Sequence, residues 1–171
     1  PFRRYWAVVG NGPNRIAAHE VRIKLSELCY KSIACDGTED KKHIDLSSEP
    51  MILVCAAGLT GSNADDVAKE LAIYRAHKAA PIAIADDGEL RLRSAVETIS
   101  VPVVHPEVAF VLSAMAGHLF GYEAALAIDA SARPLREARG CIEQLLSASE
   151  PLDALADALV PYATQFFDEL R

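Results

Sequence analysis

Short, almost unbroken apolar runs, each followed by a stretch of helical periodicity, constrain this chain most. "RYWAVVG" (Arg4–Gly10), "MILVCAAG" (Met51–Gly58) and "PIAIAD" (Pro81–Asp86) read as buried strands, and "ETISVPVV" (97–104) as a fourth. A strand that is apolar at every position has both faces covered, and strands that alternate with helices pair in parallel beneath helices on either side. The expected fold is therefore α/β, three-layered and doubly wound, with a small, mostly parallel sheet of four strands.

The helical stretches can be placed as well. Ile16, Ala17, Val21, Leu25, Leu28 and Cys29 keep a period near 3.6, which predicts an amphipathic helix from Ile16 to about Ser32 with Asn14 as its N-cap. "ADDVAKELAIYRAHK" (64–78) has acid in its first turn and base in its last, in keeping with the helix dipole. Pro106 can open the helix "EVAFVLSAMAGHLFGYEAALAID", apolar almost all round and so expected to be buried; Pro134 can open another running to about Ser147, and Pro151 a last one ending near Arg171. Residues 1–135 read as the α/β domain and 136–171 as a C-terminal helical extension.

Composition removes several classes. The net charge of −7 argues against nucleic acid, which rewards clustered Lys and Arg, but leaves a small anion open because helix starts and amides can hold one. The apolar runs look too short and interrupted to span a bilayer, and "PFRRYW" lacks the apolar core of a signal peptide. Cys29, Cys35, Cys55 and Cys141 form no CxxC pair, which suits free thiols in the cytoplasm; neither a metal nor a cofactor is expected. With no initiator Met and a strand almost at once, the chain reads as a segment of a longer protein.

Doubly wound sheets bind ligands beyond the carboxyl ends of their strands. That rule selects "GNGPN" (Gly10, Asn11 and Gly12, then Pro13 and Asn14) and "GLTGSN", which offers the hydroxyls of Thr60 and Ser62 ahead of a helix. The first is not GxGxxG, so it carries little nucleotide signal; either loop also reads as an ordinary strand-to-helix turn. On the first helix Glu20, Lys24 and Glu27 lie at i,i+4 and i,i+3 spacing, the pattern of a solvated ion-pair ladder or of a carboxylate held for proton transfer. Among the histidines, His77 reads as a helix-end residue and His118, inside the apolar helix, as a hydrogen-bonded core residue. His43 stands in the polar segment "TEDKKHID" and is the acid/base candidate.

The stretch "HEVRIKLSELCYKSIACDGTEDKKH" resembles the second sugar isomerase (SIS) domain of glucosamine-6-phosphate synthases. There a Gly-x-Gly turn leads into a helix reading roughly Ala-Leu-Glu-x-x-x-Lys-x-Lys-Glu-x-x-Tyr and then a loop ending in Lys-His-Gly-Pro. Here Gly10–Gly12 match the turn, Glu20, Lys24, Glu27 and Tyr30 the helix, and Lys42-His43 the loop at the same spacing. The resemblance spans residues 4–135 and is specific in this first stretch. It implies a phosphosugar ligand of the fructose 6-phosphate or glucosamine 6-phosphate class and ketose/aldose isomerisation within an aminotransferase-like protein. Glu27 would then be the proton-shuttling carboxylate and His43 the ring-opening residue, which reaches into a neighbouring subunit's site. It also implies a preceding SIS domain, and a glutaminase beyond it where the protein aminates. Two positions depart from the pattern. The loop reads Lys42-His43-Ile44-Asp45, and the family's tail Pro-Arg-Asn-Leu-Ala-Lys, whose lysine forms a Schiff base, becomes Pro134-Leu135-Arg136-Glu137-Ala138-Arg139. An arginine stays protonated and cannot be that nucleophile. A non-catalytic sugar-phosphate-binding or dimerisation module is the alternative, and the apolar helices lead us to expect a homo-oligomer.

Overall fold

A computed structural model describes residues 3–148 and 151–169 of the chain. Five parallel strands form one sheet in the order β2-β1-β3-β4-β5: β1 (Trp6–Gly10), β2 (Ala34–Asp36), β3 (Met51–Cys55), β4 (Ala80–Asp86) and β5 (Glu97–Val101). The α/β parallel architecture is as expected, with one strand more. β2 escapes a reading by apolar runs because it is an edge strand of three residues, "ACD", half-buried at best. Its registry, Ala7 beside Ala34 through Val9 beside Asp36, makes it a parallel partner of β1 nonetheless.

The central strands are what the apolar runs imply: Val8, Val9, Ile52, Leu53, Val54, Ala83, Ile84 and Ala85 are all buried. Their alternation divides the core in two. Ala7, Val9, Ile52, Val54, Ala83 and Ala85 pack with Leu46 of α2 (His43–Leu46) and with Val67, Leu71 and Tyr74 of α3 (Gly61–Ala76). The opposite face of the sheet is covered by α1 (Pro13–Cys29), through Ala17, Ala18, Val21 and Leu25. Helix α1 begins earlier than its periodicity suggests. Pro13 takes the first helical position after Gly12 (φ 54°), so Asn14 is not the N-cap but lies inside the first turn, buried. Proline fits there because its missing N–H would have had no intrahelical partner.

Two compact units make up the chain, residues 1–122 and 123–171. Helix α4 is continuous from Pro106 to Ser147, so Pro134 lies within it and does not open a new helix. Proline leaves a carbonyl one turn back without its donor. Here the Arg136 guanidinium donates to the Asp129 carbonyl at 3.2 Å and pairs with its carboxylate at 2.7 Å, bracing the adjoining turn. In the second unit α5 (Leu152–Glu169) follows, with Phe166 and Phe167 edge to face at 5.7 Å; the expected helix end near Arg171 lies outside the described residues.

Within the first unit α4 is buried along one stripe, not all round. Ala109, Ser113, Gly117 and Gly121 recur every four residues and are buried, whereas Val108, Val111, Met115, Leu119 and Tyr122 are exposed. The glycines serve close approach: a Cβ on Gly117 would lie 2.3 Å from Val21 Cγ2, and one on Gly121 3.4 Å from Leu25 Cδ2. By length and composition α4 could also cross a membrane, contrary to the expectation from the apolar runs. The structure shows that its small-residue stripe packs on α1 through Gly117 and Gly121 and on the Gly58 loop through Ala109.

Replacing Gly117 with Ala is expected to overpack this crossing and destabilise the chain by about 1–3 kcal/mol in urea unfolding, with part of the loss recovered when Val21→Ala is added. Unchanged unfolding of Gly117→Ala would contradict the contact.

Candidate functional site

Strands β1 and β3 are neighbours, ending together at Gly10 and Cys55. From β1 the chain crosses by α1 to β2 on one side, and from β3 it crosses by α3 to β4 on the other. The topological switch therefore falls between β1 and β3, and the two selected loops, Gly10–Gly12 and Gly58–Ser62, flank the crevice it opens.

The first loop is fixed by contact and by hydrogen bonds. A Cβ on Gly10 would lie 2.4 Å from the Asn14 carbonyl oxygen, so only glycine lets α1 begin so close to the strand end. Asn11 Nδ2 donates to Thr38 Oγ1 at 2.6 Å, and Thr38 N donates back to Asn11 Oδ1 at 3.0 Å. Thr38 is buried, and its carbonyl accepts from the Tyr74 hydroxyl, which ties this loop to α3.

The second loop is held by three side chains from three elements. Asn14 Nδ2, from α1, donates to the Ala57 carbonyl at 2.8 Å. Ser113 Oγ, from α4, accepts from Ala57 N at 3.3 Å and donates to Asn14 Oδ1 at 2.7 Å. Asp86 Oδ1, at the end of β4, accepts from Gly58 N at 2.9 Å. Asn14 and Ser113 are 3% and 0% exposed, so the amide and hydroxyl must satisfy one another where water cannot. Gly58 (φ 72°) has Ala109 Cβ 2.4 Å from where its own Cβ would stand.

With the Ala57–Gly58 peptide pinned, Thr60 and Ser62 stand exposed at the start of α3, and the Thr60 side chain makes no capping bond. Arg91 Nη1 donates to the Gly61 carbonyl at 3.3 Å, and its guanidinium is also bound by Glu89, which lowers the Glu89 carboxyl by hydrogen bonding. Two helix starts and two hydroxyls suit a small anion, while the nearby Arg91 guanidinium is engaged by Glu89 and, at 3.7 Å, by Asp65. Cys55, the thiol at the end of β3, is pushed up to about 12 by burial and stays protonated.

The remaining sequence candidates lie elsewhere. Glu27 is fourteen residues along α1 from Pro13, roughly 21 Å at the helical rise. It is exposed and accepts from Lys24 Nζ at 3.0 Å, a hydrogen bond that raises the Lys24 ammonium. Glu20 lies 3.2 Å from His118 Nε2, close enough for an ion pair when the imidazole is protonated but poorly aligned for a hydrogen bond. His118 is thus a half-exposed partner of Glu20 and not a hydrogen-bonded core residue. His43 opens the single turn of α2 with its side chain exposed. The fold brings Gly10, Asn11, Gly12, Thr60 and Ser62 to one edge and leaves Glu20, Lys24 and Glu27 on the α1 surface. A concavity of about 420 Å³ at the other end of the strands is lined by Trp6, Ile33, Ile44, Asp45 and the buried Lys41, which pairs with Asp36 at 2.6 Å.

Sequence reasoning missed Asn14, Ser113 and Asp86. The signal for the first two was a lone amide and a lone hydroxyl facing inward on otherwise apolar helix faces, since buried polar groups need partners. Nothing local marks Asp86, whose partner is twenty-eight residues away.

No protein-family model matches the chain, and no curated protein sequence does. Solved structures do match. The C-terminal domain of glucosamine-fructose-6-phosphate aminotransferase from Francisella tularensis superposes with TM-score 0.63 at 18% identity over 72% of this chain and 36% of that one. An E. coli CFT073 protein, solved as a ligand complex, gives 0.54 at 13% identity over 72% and 68%. The Vibrio vulnificus NanR protein complexed with ManNAc-6P gives 0.53 at 12% identity over 84% and 56%. The chain thus spans about a third of the aminotransferase domain and just over half of NanR.

Truncating Asn14 to Ala would orphan the Ala57 carbonyl and the Ser113 hydroxyl, and is expected to cost about 2–3 kcal/mol in chemical unfolding, more than Ser113→Ala. A loss below about 0.5 kcal/mol would mean that the junction does not hold the loop.

Proposed function

We propose that this chain, whose fold is that of a sugar isomerase (SIS) domain, binds a phosphosugar at the crevice between β1 and β3. The observation that carries the reading is the pinned Ala57–Gly58 peptide, which presents the start of α3, with Thr60 and Ser62, as a preorganised anion-holding edge opposite Gly10–Gly12. Preorganisation matters because a loop that needs no ordering on binding spends none of its contact energy on that entropy. The resemblance of α1 to the glucosamine-6-phosphate synthase pattern and the phosphosugar named for a structural neighbour, ManNAc-6P, support the same ligand class.

In the larger protein to which such a domain belongs, Glu27 moves a proton between C1 and C2 of the open-chain sugar and His43 assists ring opening. Glu27 lies far along α1 from the crevice, so this chemistry uses a sugar presented to the α1 surface by a second SIS domain or a second chain. The other reading, a binding module without turnover, draws on two observations. Glu27 is occupied by Lys24, and Arg139, in the place of the family's Schiff-base lysine, pairs with Glu143 at 2.8 Å.

Calorimetry with fructose 6-phosphate and a ketose/aldose assay on the intact protein separate the two. The double variant Thr60→Ala, Ser62→Ala is expected to weaken binding about tenfold, the loss of roughly 1.4 kcal/mol of hydrogen bonding. Glu27→Gln should leave binding in place and lower turnover about a hundredfold or more. Binding without turnover in the unaltered protein would establish the module; turnover untouched by Glu27→Gln would remove that residue as the base.

A further inference from the structure

The two lips of the crevice are held differently. The Gly58–Ser62 lip is pinned through the Ala57–Gly58 peptide by Asn14, Ser113 and Asp86. The Gly10–Gly12 lip contains two glycines, one of them at φ 54°, and glycine leaves a backbone free to take many conformations. Its own turn bonds are local: Asn14 N donates to the Asn11 carbonyl at 3.1 Å and Arg15 N to the Gly12 carbonyl at 3.0 Å. The restraint from another element comes from Thr38, which lies beyond β2 and engages both ends of the Asn11 amide.

Thr38 is 1% exposed, so its hydroxyl and its N–H have no water to turn to, and Asn11 satisfies both. The turn that carries Thr38 is closed by Gly37 N donating to Asp40 Oδ2 at 2.9 Å. A Cβ on Gly37 would stand 2.9 Å from that carboxylate oxygen and 3.4 Å from Asn11 Oδ1, so glycine lets the turn approach the lip. From the other side, the Tyr74 hydroxyl donates to the Thr38 carbonyl. Tyr74 is fully buried on α3, and burial pushes its hydroxyl up, so it stays protonated and remains a donor. An asparagine beside a crevice invites assignment as a ligand contact. Here its amide is already committed to a buried partner that is itself anchored to a core tyrosine.

We propose that Thr38, steadied by Tyr74, is a positioning residue for the Gly10–Gly12 lip, and that Asn11 is the latch it holds and not a contact to ligand. The proposal rests on the phosphosugar reading of the crevice. The phosphate takes the start of α3, and the lip that Thr38 sets meets the rest of the sugar. A lip ordered before binding spends none of its contact energy on ordering, so loosening it lowers affinity without removing a contact.

The test uses the 171-residue chain, with calorimetry for fructose 6-phosphate, an NMR titration with inorganic phosphate, and amide hydrogen exchange. Thr38→Val keeps the side chain's shape and is expected to weaken the sugar phosphate about tenfold while inorganic phosphate stays within about twofold. Thr38→Ser should restore the affinity. Asn11→Ala, at a half-exposed position, should weaken the sugar phosphate as much as Thr38→Val, and the double variant no more than either, because the two residues act as one unit. Exchange at the Asn14 and Arg15 amides should quicken about tenfold in both single variants, with Leu53 in β3 unchanged. Additive losses in the double variant would make Asn11 a ligand contact and overturn the proposal. An equal fall in phosphate and sugar-phosphate affinity would overturn it as well, since that marks a general loss of structure. Should Thr38→Val not fold, Asn11→Ala gives the same readouts. If the unaltered chain binds no fructose 6-phosphate, the phosphosugar reading fails on its own account. Exchange then decides the latch: quickened amides uphold it, and unchanged ones overturn it.

Discussion

The structure hangs on one buried junction, where Asn14 and Ser113 hydrogen-bond each other and divide the carbonyl and amide of Ala57 between them. Three elements far apart in sequence meet at this point: the first turn of α1, the loop leaving β3 and the α4 helix. Each group satisfies another that has no access to water, so the set is favourable as a whole and costly in part. Because the junction lies directly behind the crevice, the same bonds that join α4 to the sheet also fix the backbone that a ligand would meet.

The stripe of small residues on α4 makes that junction possible. Gly117 against Val21 and Ala109 against Gly58 bring the helix near enough for the short side chain of Ser113 to reach Asn14 and Ala57. A helix that packs through glycine and alanine places its larger apolar residues on the other side. The exposed face of Val108, Met115 and Leu119 is thus the geometric counterpart of a buried face made of small residues. Overall apolarity says little about which side of such a helix is covered; residue size says more.

The candidate residues divide along α1. Its N-terminal end lies at the crevice with Gly10, Asn11 and Gly12, while Glu27 lies near its C-terminal end beside Lys24. A helix of seventeen residues separates groups that sequence proximity unites. Within one chain the anion-holding edge and the acidic helix surface are two places, which is why a catalytic reading calls for a second domain or copy and a binding reading does not.

The sequence alone determined the layers. Unbroken apolar runs at Val8–Val9, Met51–Cys55 and Ile82–Ala85 can only be covered on both faces, and the rule that follows from a parallel sheet picked out both loops at the crevice. It did not disclose β2, too short to show a period, nor the passage of α4 through Pro134, where Arg136 braces the neighbouring turn. Only the tertiary structure decided that Asn14 turns inward, that Ser113 and Asp86 hold the β3 loop, and that α4 buries its small residues and exposes its large ones. The reason is physical: periodicity records which positions repeat along one element. Which side chain completes a distant hydrogen bond, and how near two helices approach, depend on neighbours that sequence order does not contain.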